Sequence, residues 1–524
     1  MPCRRRFASR GPTRGKMTLC ADRPARLNIC MRDARRSSER KGEVCQMRSI
    51  YSVVAVTITL LLPASLHAQP ETPTQETAAP PPAATEARAP ETFTRPPEPL
   101  PADEPPEEEP AVTFSKNPIS IKIGDFTLTP LLEARFRPEV RANVYGNGVQ
   151  AAKSLHFVTS RVRLGLDAQW KFLRVMMQVQ DARLFGTRPG FDDGGSFALH
   201  QGILEFGNDE RGYVRVGRQE INYGNQRMIG ALDWLMGARS FDALRLHGFF
   251  GDKVEVDAFG SMLASQQNFT DDTVTPPVTV RNNGSYLAAV NAIYKHSAKL
   301  RMEGYVLYRH DRPFAAVPAA PRNDIVSPGV FVTGVPVDGL RYTGELTMQG
   351  GKQVALSFFA VAVSGDVQYT FHAKWKPTLY GGVAYGSGAT DGKLGEFNNF
   401  FPTNHKFYGA ADLFGLRNLI DGHLAVGVTT PNAPVGLKLE LFNMALSNPS
   451  ARWSQVAGVT LGQNAANTTR NLGQEIDALV KWRFVQWASL SGGYTVFIPN
   501  QGAANLGHDI ATHWAYAMIT LRTP

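Results

Sequence analysis

The sequence predicts an all-β chain, a transmembrane antiparallel β-barrel of about 18 strands, on three observations. Segments with a two-residue hydrophobic period recur evenly from about Ile119 to the C-terminus, and that period marks strands with one apolar and one polar face. No run of 18 apolar residues offers a helical route into a membrane, yet the chain carries a secretion signal. Aromatic residues gather near strand ends, among them Trp170, Phe172, Tyr286, Trp375, Trp482 and Trp487, as the interfacial girdles of a membrane barrel require.

The N-terminal quarter is read first, because it distorts the charge balance. Residues 1–46 hold 13 Lys+Arg against 4 Asp+Glu, which equals the whole formal excess of 55 over 46. All four cysteines, Cys3, Cys20, Cys30 and Cys45, lie there too, so the rest of the chain suits an oxidising compartment. Met47 and Arg48 open an apolar run from Ile50 to Leu62, followed by Pro63 and the small-residue stretch Ala64 to Ala68. This is the n-region, h-region and cleavage site of a secretory signal over 47–68, with cleavage after Ala68. Residues 1–46 are then an extended n-region or lie upstream of the true start. Residues 69–112 are dense in proline and acid, with ten acids against Arg88 and Arg95 over 69–110, and are expected to be a disordered tail with little to bury. The remaining body holds 39 basic and 32 acidic residues, a net of +7.

Within 113–524 the strands sort by face. Ser154 to Gln169 sets Arg161, Arg163 and Asp167 against Val158, Val162, Leu164 and Leu166. Phe172 to Ala182 sets Arg174, Gln178 and Gln180 against Leu173, Val175, Met177 and Val179. The stretch 212–246 runs from a strand with Arg215 opposite Val214 and Val216, through a polar and aromatic loop, to a strand with Arg245 opposite Leu244 and Leu246. Gly339 to Gln349, Asp366 to Lys376, Val435 to Phe442 and Gln474 to Phe484 alternate in the same way. A soluble sandwich alternates as well. The final segment, Thr512 to Arg522, is a strand able to pair with the first and leave no edge in lipid. About 19 candidates are counted, Asn404 to Asp412 the weakest; an even number is the rule for single-chain barrels. Long loops are expected at Asn268 to Gly284, Asp311 to Asp338 and Gly386 to Asn404, with short turns at Gly350-Gly351 and Ser364-Gly365. A barrel of this size leaves a water-filled middle. Ile221 to Ser240 is too polar and aromatic for a tether and is expected either to fold into the lumen and narrow it or to pack outside.

Several stretches resemble the bacterial alginate export family: VGRQEINYGNQRMIGALDW with RSFDALRL (216–234 and 239–246), RVRLGLDAQ (161–169), VQDARLFG (179–186), LHQGILEF (199–206), FFPTNHKFYGAADLFGLRNL (400–419) and LGQEIDALVKWRF (472–484). The resemblance implies an 18-stranded outer-membrane barrel whose arginine-rich lumen passes an anionic, alginate-like uronate polymer. By position in these motifs it implies a conduit made of Arg161, Arg163, Asp181, Arg183, Arg215, Arg218, Arg245 and Arg483. The chain departs from the family at its end, Leu521-Arg522-Thr523-Pro524, where an aromatic residue is usual.

The chemistry is consistent with that reading. Guanidinium groups stay charged and present forked donors to carboxylates, and a series of weak sites passes an ion where a tight one would hold it. For any one of these arginines, a cross-strand pair with an acid is the plainer role. A diffusion porin preferring small anions is the second reading, and an outer-membrane hydrolase the third. No GxSxG turn, HExxH pair or P-loop is present, although His200 with Asp192, or His405 with Asp412, could join a serine. The expected partners are the acidic polysaccharide, outer-membrane lipid and periplasmic secretion proteins, with no nucleic acid, no metal and no cofactor; the channel is expected to be monomeric. The acidic tail is expected either to be a solvated spacer or to occupy a cationic periplasmic mouth.

Overall fold

The computed structural model describes residues 119–523, apart from 147–148, 151–153, 187–195, 209–211, 265–267, 272–277, 282–284, 312–322, 354–355, 390–394, 432–433 and 456–458. The signal segment, its cleavage site and the Pro-rich tail lie outside the described residues, as does Asp192.

Eighteen long strands form one antiparallel sheet: β1 (Phe126–Ala142), β2 (Ser154–Trp170), β3 (Leu173–Phe185), β4 (Ser196–Asn208), β5 (Gly212–Gln219), β6 (Phe241–Phe250), β7 (Val254–Ala264), β8 (Ser285–Ser297), β9 (Leu300–Asp311), β10 (Asn323–Gly334), β11 (Leu340–Gln353), β12 (Leu356–Thr370), β13 (Thr378–Gly386), β14 (Leu419–Thr429), β15 (Val435–Leu446), β16 (Asn471–Val485), β17 (Ala488–Pro499) and β18 (Thr512–Arg522). Each pairs with the next, and β18 returns to β1 with Glu133 opposite Arg522 and Ala142 opposite His513. The ring is therefore closed, which leaves no unpaired backbone edge for lipid to meet. A three-residue strand, Ile121–Ile123, adds to the foot of β1.

Burial is inverted relative to a water-soluble protein. On β2, Val158, Val162, Leu164 and Leu166 are exposed while Arg161, Arg163 and Asp167 are buried. The same holds on β15, where Leu437, Leu439 and Leu441 face outward. Apolar side chains on the outside gain nothing from water, so this surface is built for hydrocarbon. Connections at the end where β1 begins and β18 ends are short, for example 171–172, 251–253, 298–299 and 486–487. Trp170, Phe172, Phe250, Trp375, Trp482 and Trp487 stand exposed around that rim, forming a girdle. Opposite lie the long connections 220–240, 387–418, 447–470 and 500–511. By the usual barrel polarity the short turns face the periplasm.

The core is inside the ring. The segments 220–240, 387–418 and 447–470 bury Ile221, Ile229, Phe397, Phe414, Trp453 and Phe497 in a single cluster, each apolar side chain stabilising by about 1.5–3 kcal/mol.

Several sequence expectations are corrected. Gly350-Gly351 lies within β11 and Ser364-Gly365 within β12, with Gly350 opposite Phe359 and Gly365 opposite Gly344. Small residues there keep the ladder and lose only side chains; the chain reverses at 335–339 and 371–377 instead. The expected loop 311–338 contains β10, disguised by Pro328, which has no N–H to donate. The β10–β11 pairing is interrupted there, between Val326–Gly350 and Gly329–Thr347. The expected loop 268–284 carries a hairpin, Asn268–Asp271 with Val278–Arg281. Asn404 to Asp412, the weakest strand candidate, is a turn of 3-10 helix and a loop.

Candidate functional site

The lumen is narrowed by two segments that enter from the long-loop end. Residues 220–240 touch β1, β2, β3, β7, β9 and β12, which a segment can do only from inside the ring. Its far part sits in a socket of wall arginines. Arg135 donates to the Asp233 carbonyl at 2.9 Å and to its carboxylate at 3.1 Å. Arg161 donates to Asp233 Oδ1 at 2.9 Å and also pairs with Glu133. Arg137 donates to the Trp234 carbonyl at 2.8 Å and lies 4.1 Å from the centre of its ring. Gln180 donates to the Gly237 carbonyl at 2.8 Å. A turn inside a barrel has no ladder to satisfy its carbonyls, and these side chains supply the donors. Its near part spans the bore: Tyr223 donates to Asp257 at 2.7 Å, and Arg227 reaches Asp366 at 2.7 Å and Tyr408 at 2.9 Å. Burial alone would favour the neutral form of Arg227, but the Asp366 carboxylate outweighs it and the pKa stands well above the ordinary arginine value.

Residues 387–418 meet the first segment in the middle of the lumen. Gly230 N–H donates to Phe401 at 2.8 Å and Phe401 N–H to Met228 at 3.0 Å, so Ile229 and Phe401 form a parallel bridge. His405 stacks on Trp234 at 3.9 Å with the rings nearly parallel. The tip is tied to β16: Ala411 N–H donates to Glu475 at 2.8 Å and Ala410 N–H to Asp477 at 3.0 Å. Gly409 has a φ of +84°, and a Cβ there would lie 2.4 Å from a Glu475 oxygen, so only glycine fits.

Below this septum, at the short-turn end, a cavity of about 480 Å³ opens between β1 and β12–β18. Arg135, Lys406, Lys438, Lys481, Arg483 and Arg522 line it, against Asp233, Glu440 and Asp477, so six cations meet three carboxylates. Tyr380, Trp234 and Tyr516 supply flat faces.

The eight conduit candidates fall in four places. Arg161 and Arg163 are wholly buried, the first holding the inward segment and the second bonded to Gln180 at 2.8 Å. Arg215 and Arg245 face the lumen in wall pairs, Arg215 with Glu205 at 2.5 Å and Arg245 with Asp257 at 2.7 Å. Arg483 lines the cavity. Asp181, Arg183 and Arg218 are corrected. Asp181 and Arg183 lie opposite Val162 and Ser160, on the face where Val162 is exposed, and pair with each other at 2.9 Å. Arg218 shares the outward parity of Val214 and Val216 and pairs with Asp242 at 2.9 Å. All three stand on the outer wall near the long-loop rim, where a charged pair at headgroup level costs little. Their even or odd position relative to neighbouring valines carried that signal in the sequence. The motif reading missed Arg135, Arg137, Arg227 and Lys481. Arg135 and Arg137 sit at two-residue spacing in a strand, whereas nothing local links Arg227 to Asp366, 139 residues away.

The histidines are absorbed into structure. His405 pairs with Asp412 at 3.0 Å. His200 lies 3.3 Å from both Glu220 and Ser240, stapling the two ends of the inward segment.

A family model described as alginate export matches residues 131–505. The chain belongs to the alginate export family. Its barrel is similar in fold to the outer membrane protein opdK from Pseudomonas aeruginosa, with a TM-score of 0.50, 8% identity, and coverage of 75% of this chain and 98% of that one. It is also similar to OpdQ (TM-score 0.51, 10% identity, 75% and 97% covered) and OpdL (0.50, 12%, 75% and 99%) of the same organism. No curated protein sequence matches. This alginate export family member is thus a closed barrel of the bacterial outer membrane and a channel by fold and family.

Proposed function

We propose that the channel passes an anionic, uronate-type polysaccharide, and that its cationic periplasmic cavity is where the polymer is received. The observation that carries this reading is the cavity itself, in which six basic side chains outnumber three acids beside aromatic faces. A polyuronate offers one carboxylate per sugar, and cations spaced around a wet chamber compensate such charges in succession without a single tight grip. Arg483, Lys481 and Arg522 are the residues given the receiving role. Arg215 and Arg245 continue the series along the opposite wall, with Glu205 and Asp257 holding them in place. Arg161 and Arg163 act indirectly, by fixing the constriction.

The stitched septum favours a second reading, a diffusion porin for small anions, because Arg227 bridges the bore to Asp366. Planar-bilayer recording separates the two. Uronate oligomers added to the periplasmic side are expected to block current at lower concentration than neutral oligosaccharides of equal length. Anion preference with equal block by both sugars would overturn the polymer reading in favour of the small-anion one.

A further inference from the structure

We propose that the acidic, proline-rich segment 98–110 of this same chain docks in the cationic cavity as an internal stand-in for the transported polyanion. The inference rests on the reading of that cavity as a polyanion site and adds its regulation.

Three observations carry it. The first is where the described chain begins. Ile121–Ile123 runs against the foot of β1, with Ile121 opposite Leu128, and Ser120 Oγ lies 2.9 Å from Thr129 Oγ1. Thr129 is buried and shares the lumen-facing parity of Glu133 and Arg135. The same line of the wall is occupied just above by the chain's other end, where Thr523 N–H donates to the Leu132 carbonyl at 2.9 Å. Above Ser120 the free edge of β1 is therefore taken by Thr523.

The second is charge. Residues 96–112 hold Glu98, Asp103, Glu104, Glu107, Glu108 and Glu109 with no base. The outer face at this level is apolar, with Ile119, Ile121 and Ile123 exposed. Six carboxylates do not enter hydrocarbon. The lumen side offers a chamber with a cationic excess.

The third is reach. Arg522 lies opposite Glu133, four residues up the wall from Thr129, about 13 Å at the rise of a strand. Ten residues separate Glu109 from Ile119, and a chain of that length reaches at most about 3.3 Å per residue, roughly 33 Å in all. The carboxylates of Glu107 to Glu109 are thus within chain length of Arg522, Arg483 and Lys481, measured from Ile119. Spaced carboxylates on an extended backbone present these cations with the chemistry of a uronate chain.

The test uses the full chain, with the six acids changed together (Glu98→Gln, Asp103→Asn, Glu104→Gln, Glu107→Gln, Glu108→Gln, Glu109→Gln), and a second variant beginning at Val112. Both changes lie before the first strand, Ile121–Ile123. In 0.1 M salt the neutralised tail is expected to raise single-channel conductance about twofold and to lower the uronate concentration needed for block; in 1 M salt the difference should vanish, as the Debye length falls from about 10 Å to about 3 Å. Carbodiimide treatment of the unmodified chain should join tail glutamates to Lys438 or Lys481. Equal conductance of the full and neutralised chains at low salt, or a conductance change without such cross-links, would overturn the docking. Uronate block of the Val112 variant is read separately: its presence keeps the polyanion site whatever the tail does, and its absence removes that site while leaving the tail's effect on conductance to stand or fall alone.

Discussion

Arg161 and Lys481 occupy the same face of one continuous sheet, yet their surroundings differ completely. Arg161 is wholly buried between Glu133 and Asp233, whereas Lys481 stands exposed to the cavity on β16. Lumen parity therefore assigns a cation to the inside of the barrel without assigning it to the transported solute. What separates the two groups is the inward segment 220–240: where it lies against the wall, arginines become its hydrogen-bond donors, and where it does not, cations pair along the wall or line the cavity. An arginine count overstates the conduit, because β1, the strand richest in arginine, is one of those that hold the septum.

The largest effect should come from removing the segment that creates the difference. Deletion of Asn222 to Leu232 takes away Arg227 and its links to Asp366 and Tyr408, and single-channel conductance is expected to rise severalfold. An unchanged conductance would mean that the septum is not the narrowest part of the path.

Next is Arg161→Met, which removes one of the two cations, Arg161 and Arg135, that bridge the Glu133 and Asp233 carboxylates. Breaking a buried ion pair from one side costs about 3–5 kcal/mol. The heat required to convert the barrel to its unfolded form on a detergent gel should fall, and conductance should become noisy as residues 233–237 lose their donors. Adding Glu133→Gln should recover part of the loss, since one buried carboxylate charge that Arg161 had compensated is then gone.

The opposite arm of the comparison is tested by Lys481→Gln together with Arg483→Gln. Both side chains are reached by water, so unfolding should move by no more than about 0.5 kcal/mol. Anion preference and uronate block should fall, most clearly at low salt. A large loss of stability instead would put these two residues in the same class as Arg161.

The fold was legible because a barrel repeats one local rule. Alternation placed Val158 and Arg161 on opposite faces of β2, and the closing strand Thr512–Arg522 could be read to the residue. The rule failed where backbone pairing continues without a side-chain pattern, as at Gly350-Gly351, or where a proline interrupts one edge, as at Pro328. The site was legible only in part. The septum's composition marked 221–240 as unusual, but its contacts join positions far apart in sequence, such as Arg161 with Asp233, 72 residues apart, and Arg227 with Tyr408, 181 residues apart, and no local period encodes those. The family motif drew in Asp181, Arg183 and Arg218 because it follows sequence proximity, while facing is decided by odd or even position alone.

That last distinction gives the smallest predicted effect. Arg183 and Asp181 pair on the outer wall, with the Arg183 side chain 43% exposed, and exposed pairs contribute about 0–1 kcal/mol. Arg183→Gln should leave conductance, anion preference and uronate block at their starting values, even though it removes a motif arginine only 20 residues from Arg163. A change in any of the three would mean that the β3 face was assigned the wrong way round. Since β2 pairs with β3 without a break from Val158 to Trp170, with Arg163 opposite Gln180 and Val162 opposite Asp181, that error would reverse Arg161 and Arg163 as well and with them the socket that holds the septum. A silent Arg183→Gln beside a destabilising Arg161→Met is the pair of results that the alternation requires.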